Sequence, residues 1–182
     1  MSGNQITVQK VEGDLITVES PEINVDSIIN LIINEIISIS VKIDLRDRTF
    51  PSTILKKIKH NDLGRNKRII QQYKSSSSHI EKAYATVDQN IINGKQSALL
   101  MLNEMYFNAL EKYQIDPFDV DMAKIREHAD DIVDNVIKQL RKFVYKSANV
   151  PPYKEQVQLG INIVVAHAFV ECLILENPNA TN

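Results

Sequence analysis

His167 and Glu171 have the residue types and the spacing to act together. They stand four residues apart, so a helix through them puts both on one face. An imidazole and a carboxylate so placed suit a divalent metal, but two ligands do not make a zinc site. The chain has no HExxH and no paired CxxC to supply more. His128 with Glu127 or Asp131 is a second pair of this kind and falls short for the same reason. His167 and Glu171 are therefore expected at a polar edge of the last helix, bonded to each other, with no metal and no cofactor.

Other candidates for chemistry fail on geometry. Cys172 and His167 are five residues apart, which on a helix turns them about 140° from one another. A nucleophile and its base must be within hydrogen-bond reach. Gly94-Lys95 lacks the upstream glycine that a phosphate-cradling loop requires, and reads as a helix cap. Asp130, Asp131 and Asp134 imitate a carboxylate pair but read as a solvated helix face, since ionised carboxylates stay in water unless paired. No catalytic residue emerges, and the chain is expected not to be an enzyme.

One local electrostatic anomaly remains. Between Lys56 and Lys74 lie seven cations (Lys56, Lys57, Lys59, Arg65, Lys67, Arg68 and Lys74) and a single acid, Asp62. The first six are candidates for binding a partner or nucleic acid, because such a patch can neutralise phosphates. An acidic protein surface or plain solvation would account for it equally. Tyr73 is the only aromatic in the stretch, which argues against a platform that stacks single-stranded bases.

The elements that must position these residues are mainly helical. With 182 residues, 43% apolar, the chain suits one domain with a sizeable core. Five glycines and six prolines are too few for a turn-rich β-sandwich. A net charge of −2 excludes a globally basic nucleic-acid coat. The single cysteine cannot form an internal disulfide, and the N-terminus lacks the features of a signal peptide. The two most apolar stretches, 28–41 and 161–175, are interrupted by Asn, His and Glu and fall short of the about 20 apolar residues of a membrane span. A cytoplasmic protein with no membrane contact is expected.

Residues 4–19 alternate apolar and polar side chains around Glu12-Gly13-Asp14, the pattern of a β-hairpin. Residues 25–39 carry isoleucines at helical spacing, although 37–43 also alternate as in a strand. Short helices are expected near 51–58 and 64–74. A longer one should run over 78–90, started by Ser78 with Glu81 reciprocating in a capping box. Helices follow over 95–114, 121–147 and 153–176, the last apolar on most sides and so central. The fold class is thus a helical bundle with an N-terminal β-hairpin: a hairpin appendage over 1–20, a helical and irregular segment over 21–77, and a helical C-terminal domain over 78–177.

From about His79 onward the text carries IEKAYATVDQNIINGKQSALLMLNEMYFNALEKYQID, IREHADDIVDNVIKQLRKFVYKSANV and VQLGINIVVAHAFVECLILENP. These segments resemble the helical C-terminal domain of the ABC-three-component prokaryotic defence systems, over a little more than half the chain. The resemblance implies a subunit that works with companion proteins: a small middle component, an SMC-like ABC ATPase and an effector. About 78 residues precede the similar region, too few for the usual nuclease or protease effector, so an adaptor role in an antiviral complex is expected. A nucleic-acid-binding module using 56–74 and a homo-oligomeric scaffold using the hairpin are the alternatives. The hairpin separates these by experiment, because two strands alone leave unpaired edges that can add to a partner. If it docks outward, deleting residues 1–20 should leave the thermal transition unchanged and remove a partner in size-exclusion chromatography. Loss of stability with every partner retained would contradict outward docking.

Overall fold

The computed structural model describes residues 24–39 and 49–179. Within them seven helices and no strand are found: α1 (Ile28–Ser38), α2 (Ser52–His60), α3 (Lys67–Gln71), α4 (Tyr73–Asn90), α5 (Gly94–Lys112), α6 (Met122–Lys146) and α7 (Lys154–Val170). The mainly helical expectation holds. The hairpin proposed for residues 4–19 lies outside the described residues, as does most of the strand alternative at 37–43.

α7 is central because its polar residues keep to its first half, between Lys154 and Asn162, and beyond them only His167 interrupts an apolar surface. From Ile163 to Phe169 every residue is buried, and α1, α3, α4 and α6 all pack against the helix. α6 is the opposite kind of helix. Its three- and four-residue apolar spacing buries Ile132, Val133, Val136 and Leu140 and leaves Lys138 and Arg141 exposed. Asp121 starts it, accepting hydrogen bonds from the Ala123 and Lys124 amides. α5 packs on α6, and α1 lies across α4 and α7.

α1 starts at Ser27, whose hydroxyl accepts from the Asn30 amide. The entry to this helix is tied to the α6–α7 connection: the Ser27 amide donates to Asn149 Oδ1 (2.8 Å), and Asn149 Nδ2 donates back to the Ser27 carbonyl (3.0 Å). Asn30, one of the residues that interrupt the apolar 28–41 stretch, is fully buried. Its side-chain amide donates to the Val144 carbonyl near the end of α6, which offsets the cost of burial.

Two helix boundaries differ from expectation, each for a local reason. Ser78 does not cap α4; the helix begins five residues earlier, at Tyr73. The Ser75 and Ser76 hydroxyls instead donate back to the Gln72 carbonyl, a bond compatible with continuing helix. α7 ends at Val170 rather than near 176. Cys172 takes a left-handed conformation (φ 60°), its amide donates to the Phe169 carbonyl and the Leu173 amide to the Ala168 carbonyl. These two bonds close the helix in a Schellman turn.

Residues before and after position 78 share one hydrophobic core, with Ile32, Ile58 and Ile70 in the same cluster as Leu102, Ile132 and Phe169. The boundary drawn at 77–78 falls inside α4.

Gly160 lies where α7 packs closely on Ile33 of α1. A Cβ built there would lie 2.5 Å from Ile33 Cγ2, which is closer than atoms can pack. Replacing a helix-interior glycine by alanine normally gains up to about 1 kcal/mol. Gly160→Ala is expected instead to lose about 1–3 kcal/mol by overpacking, read from urea denaturation. Equal or greater stability would show that the two helices separate easily.

Candidate functional site

His167 lies in the last turn of α7 with none of its surface exposed. Its ring is stacked on Tyr73 (centroids 5.7 Å apart) and tilted against Tyr84 (5.1 Å), both from α4. Both ring nitrogens are buried without a hydrogen-bond partner, as is the Tyr84 hydroxyl. Nε2 lies 3.9 Å from Oε1 of Glu81, one turn before Tyr84. Glu171 follows His167 by one turn, and a ligand atom from each of Glu81, His167 and Glu171 lies within 4.8 Å of the others. Glu81 and Glu171 are exposed, so the group is buried on its imidazole side and open on its carboxylate side. Lys95 from α5 completes it: Nζ is 3.2 Å from the other oxygen of Glu81 and 4.9 Å above the Tyr84 ring.

The electrostatics follow from this arrangement. Burial pushes the His167 pKa down, the Glu171 and Glu81 charges pull it back up, and Lys95 adds to the lowering. The imidazole is therefore neutral at neutral pH and keeps one lone pair. Burial, then Glu81 and Glu171, raise the Tyr84 pKa, and burial with the same two carboxylates raises that of Tyr73; both remain phenols. His167 was expected at a polar edge of the helix; it is instead a core residue, with Glu171 alone at the edge.

The basic stretch divides. Lys57 is buried (4% exposed); its Nζ donates to the Phe169 carbonyl (2.6 Å) and lies over the Phe169 ring. It places a cation at the negative end of α7. Burial lowers its pKa, opposed by Cys172 and Glu176. Arg65 is also engaged, donating from Nε to Asp134 (3.1 Å) and from its terminal nitrogen to Asp131 and Asp134. These carboxylates hold its pKa above the ordinary arginine value. The three aspartates thus do more than face water. Asp130 accepts from the amides of Gly64, Arg65 and Asn66, and the Asn66 side chain donates to Asp134. Together they hold the α2–α3 loop against α6. Lys56 and Lys59 on α2, and Lys67 and Arg68 on α3, are exposed.

A different part of the surface is apolar. Phe118, in the loop after α5, is 90% exposed and its ring lies 6.0 Å from that of Phe107. Leu100, 56% exposed, precedes Phe107 by two helical turns on the same side of α5. Ile92, just before α5, is 90% exposed.

Residues 24–176 match the family model for C-terminal domain 10 of the ABC-three component systems. The chain belongs to this family. No curated protein and no solved structure matches it. The domain-10 match begins well before His79 and takes in α1 to α3. No helix among its described residues is long and apolar enough to cross a membrane.

Within this domain the His167 group was only half visible in the sequence. Glu81 and Tyr84 are more than 80 residues from His167, and nothing local links them. A helix started at Tyr73 would have given a signal, since Tyr73 and Tyr84 then share a face three turns apart with Glu81 beside it. Lys57 and its neighbour Lys56 are indistinguishable by composition, and their difference is measurable. Lys57→Ala is expected to cost about 1.5–3 kcal/mol in chemical denaturation, the range for a hydrogen bond to a charged group. The pair Lys56→Ala and Lys59→Ala should cost less than about 0.5 kcal/mol each. If those exposed lysines contact DNA, the same pair should flatten the salt slope by about 1.8, at about 0.9 per lost contact. Equal destabilisation by both sets would contradict the capping role of Lys57.

Proposed function

We propose that the chain is a non-enzymatic assembly subunit of a multi-component antiviral defence complex, an adaptor that contacts an SMC-like ABC ATPase and companion subunits. The observation that carries this reading is the family match over residues 24–176, which takes in all seven helices. Such a domain is defined by the systems it occurs in, and their components work together. Two features of the surface support it. Ile92, Leu100 and Phe118 expose apolar area along and beside α5, the kind of area that the core of a protein interface buries. Of the six cations put forward for nucleic acid, Lys57 of α2 is buried against α7 and Arg65 is bound to aspartates, which favours a protein partner over a phosphate backbone.

The reading is tested by co-expressing the chain with the SMC-like ATPase and middle component of its own system. Co-elution as a defined complex is expected. Leu100→Glu with Phe118→Glu should weaken it at least tenfold while the helical circular dichroism is kept, because a charge placed in a desolvated contact is costly. A chain that elutes apart from both companions would overturn the adaptor role.

A further inference from the structure

We propose that Glu81, His167 and Glu171 form a binding site for one divalent transition-metal ion, of zinc or manganese type. Three observations converge on it. Donor atoms from α4, from the end of α7 and from the residue that caps α7 lie within 4.8 Å of one another. The imidazole is fully buried between two tyrosines, and its Nε2, without a hydrogen-bond partner, faces Glu81 Oε1 at 3.9 Å. A buried polar atom left unbonded costs free energy and calls for a reason to be kept. The two carboxylates, in contrast, are exposed, so an ion can enter from solvent and the remaining coordination positions can be filled by water.

The donor chemistry selects the ion. A neutral imidazole suits zinc and its neighbours, while carboxylates also suit manganese. Ligands about 2.1 Å from zinc in a tetrahedral site lie roughly 3.4 Å apart, so the group, whose donors lie within 4.8 Å, must tighten by up to about 1.4 Å. The exposed glutamates can rotate to do this while His167 stays fixed. Lys95 binds Oε2 of Glu81 and leaves Oε1 towards Nε2, which orients the carboxylate as outer-shell partners do. Its charge opposes the cation, and the two carboxylates outweigh it. A bound ion would fasten α4 to the C-terminal end of α7.

The full chain carrying Cys172→Ser, so that the exposed thiol cannot capture zinc, is stripped with chelator and titrated calorimetrically with Zn²⁺, then with Mn²⁺ under electron paramagnetic resonance. One ion per chain is expected, with a rise in melting temperature. Glu81→Gln and Glu171→Gln should each weaken binding about tenfold or more without loss of helical signal, since outer-shell changes alone cost about 10–100-fold. Both positions are exposed, so the test does not depend on whether His167→Gln folds. Binding of neither ion would overturn the proposal. So would binding that survives both glutamine substitutions, which would place the ion elsewhere.

Discussion

The enclosure of α7 constrains everything around it. A helix buried from Ile163 to Phe169 on all sides needs neighbours on all sides, and α1, α3, α4 and α6 supply them. Each large apolar side chain so covered contributes about 1.5–3 kcal/mol relative to exposure. That gain carries an obligation at the end of the helix, where the last carbonyls have no partners within it. The obligation is met three times over: by the Cys172 and Leu173 amides in the Schellman turn, and by Lys57 reaching in from α2. A short helix with little core of its own is thereby attached to the most buried element.

The same device recurs wherever a polar side chain enters the core. Asn30 bonds the Val144 carbonyl at the end of α6. Asn61 bonds both the amide and the carbonyl of Glu176 in the tail, and Asn66 bonds the Asp130 carbonyl and the Asp134 carboxylate. Each buried amide donates to a segment far from it in sequence, and of the three only Asn30 keeps a buried oxygen, its Oδ1, without a partner. His167 departs from this rule. Glu81 Oε1 stands at 3.9 Å, outside hydrogen-bond range, and the imidazole lies against two aromatic rings of α4, Tyr73 and Tyr84.

Periodicity made the long helices legible, because α6 alternates buried and exposed faces with a repeat that sequence displays directly. Where packing overrides local chemistry, the text misleads. The serine run before Ile80 has the residues of a cap, but hydroxyls can equally bond back along a helix, and here they do. The end of α7 is hidden because Leu173, Ile174 and Leu175 prolong the apolar run past it. The left-handed residue that closes the helix is Cys172, where glycine would have announced the turn. Asp130 looked solvated because its partners are backbone amides, which carry no signature in sequence. The candidate site was legible only as His167 and Glu171. Its α4 half depends on two helices meeting, and no one-dimensional pattern encodes that.

Lys57 and His167 are buried at the C-terminal junction, and their placement makes that junction a single unit. Lys57 holds the carbonyl of Phe169, two residues after His167 and two before Glu171. Glu176 is held by Asn61 at its backbone and by the Tyr106 hydroxyl at its side chain. Residues 167–176 therefore have attachments to α2, α4 and α5 within ten positions. Glu171 is joined through Val170 to the carbonyl that Lys57 grips, and the Cys172 amide on its other side donates to the same carbonyl.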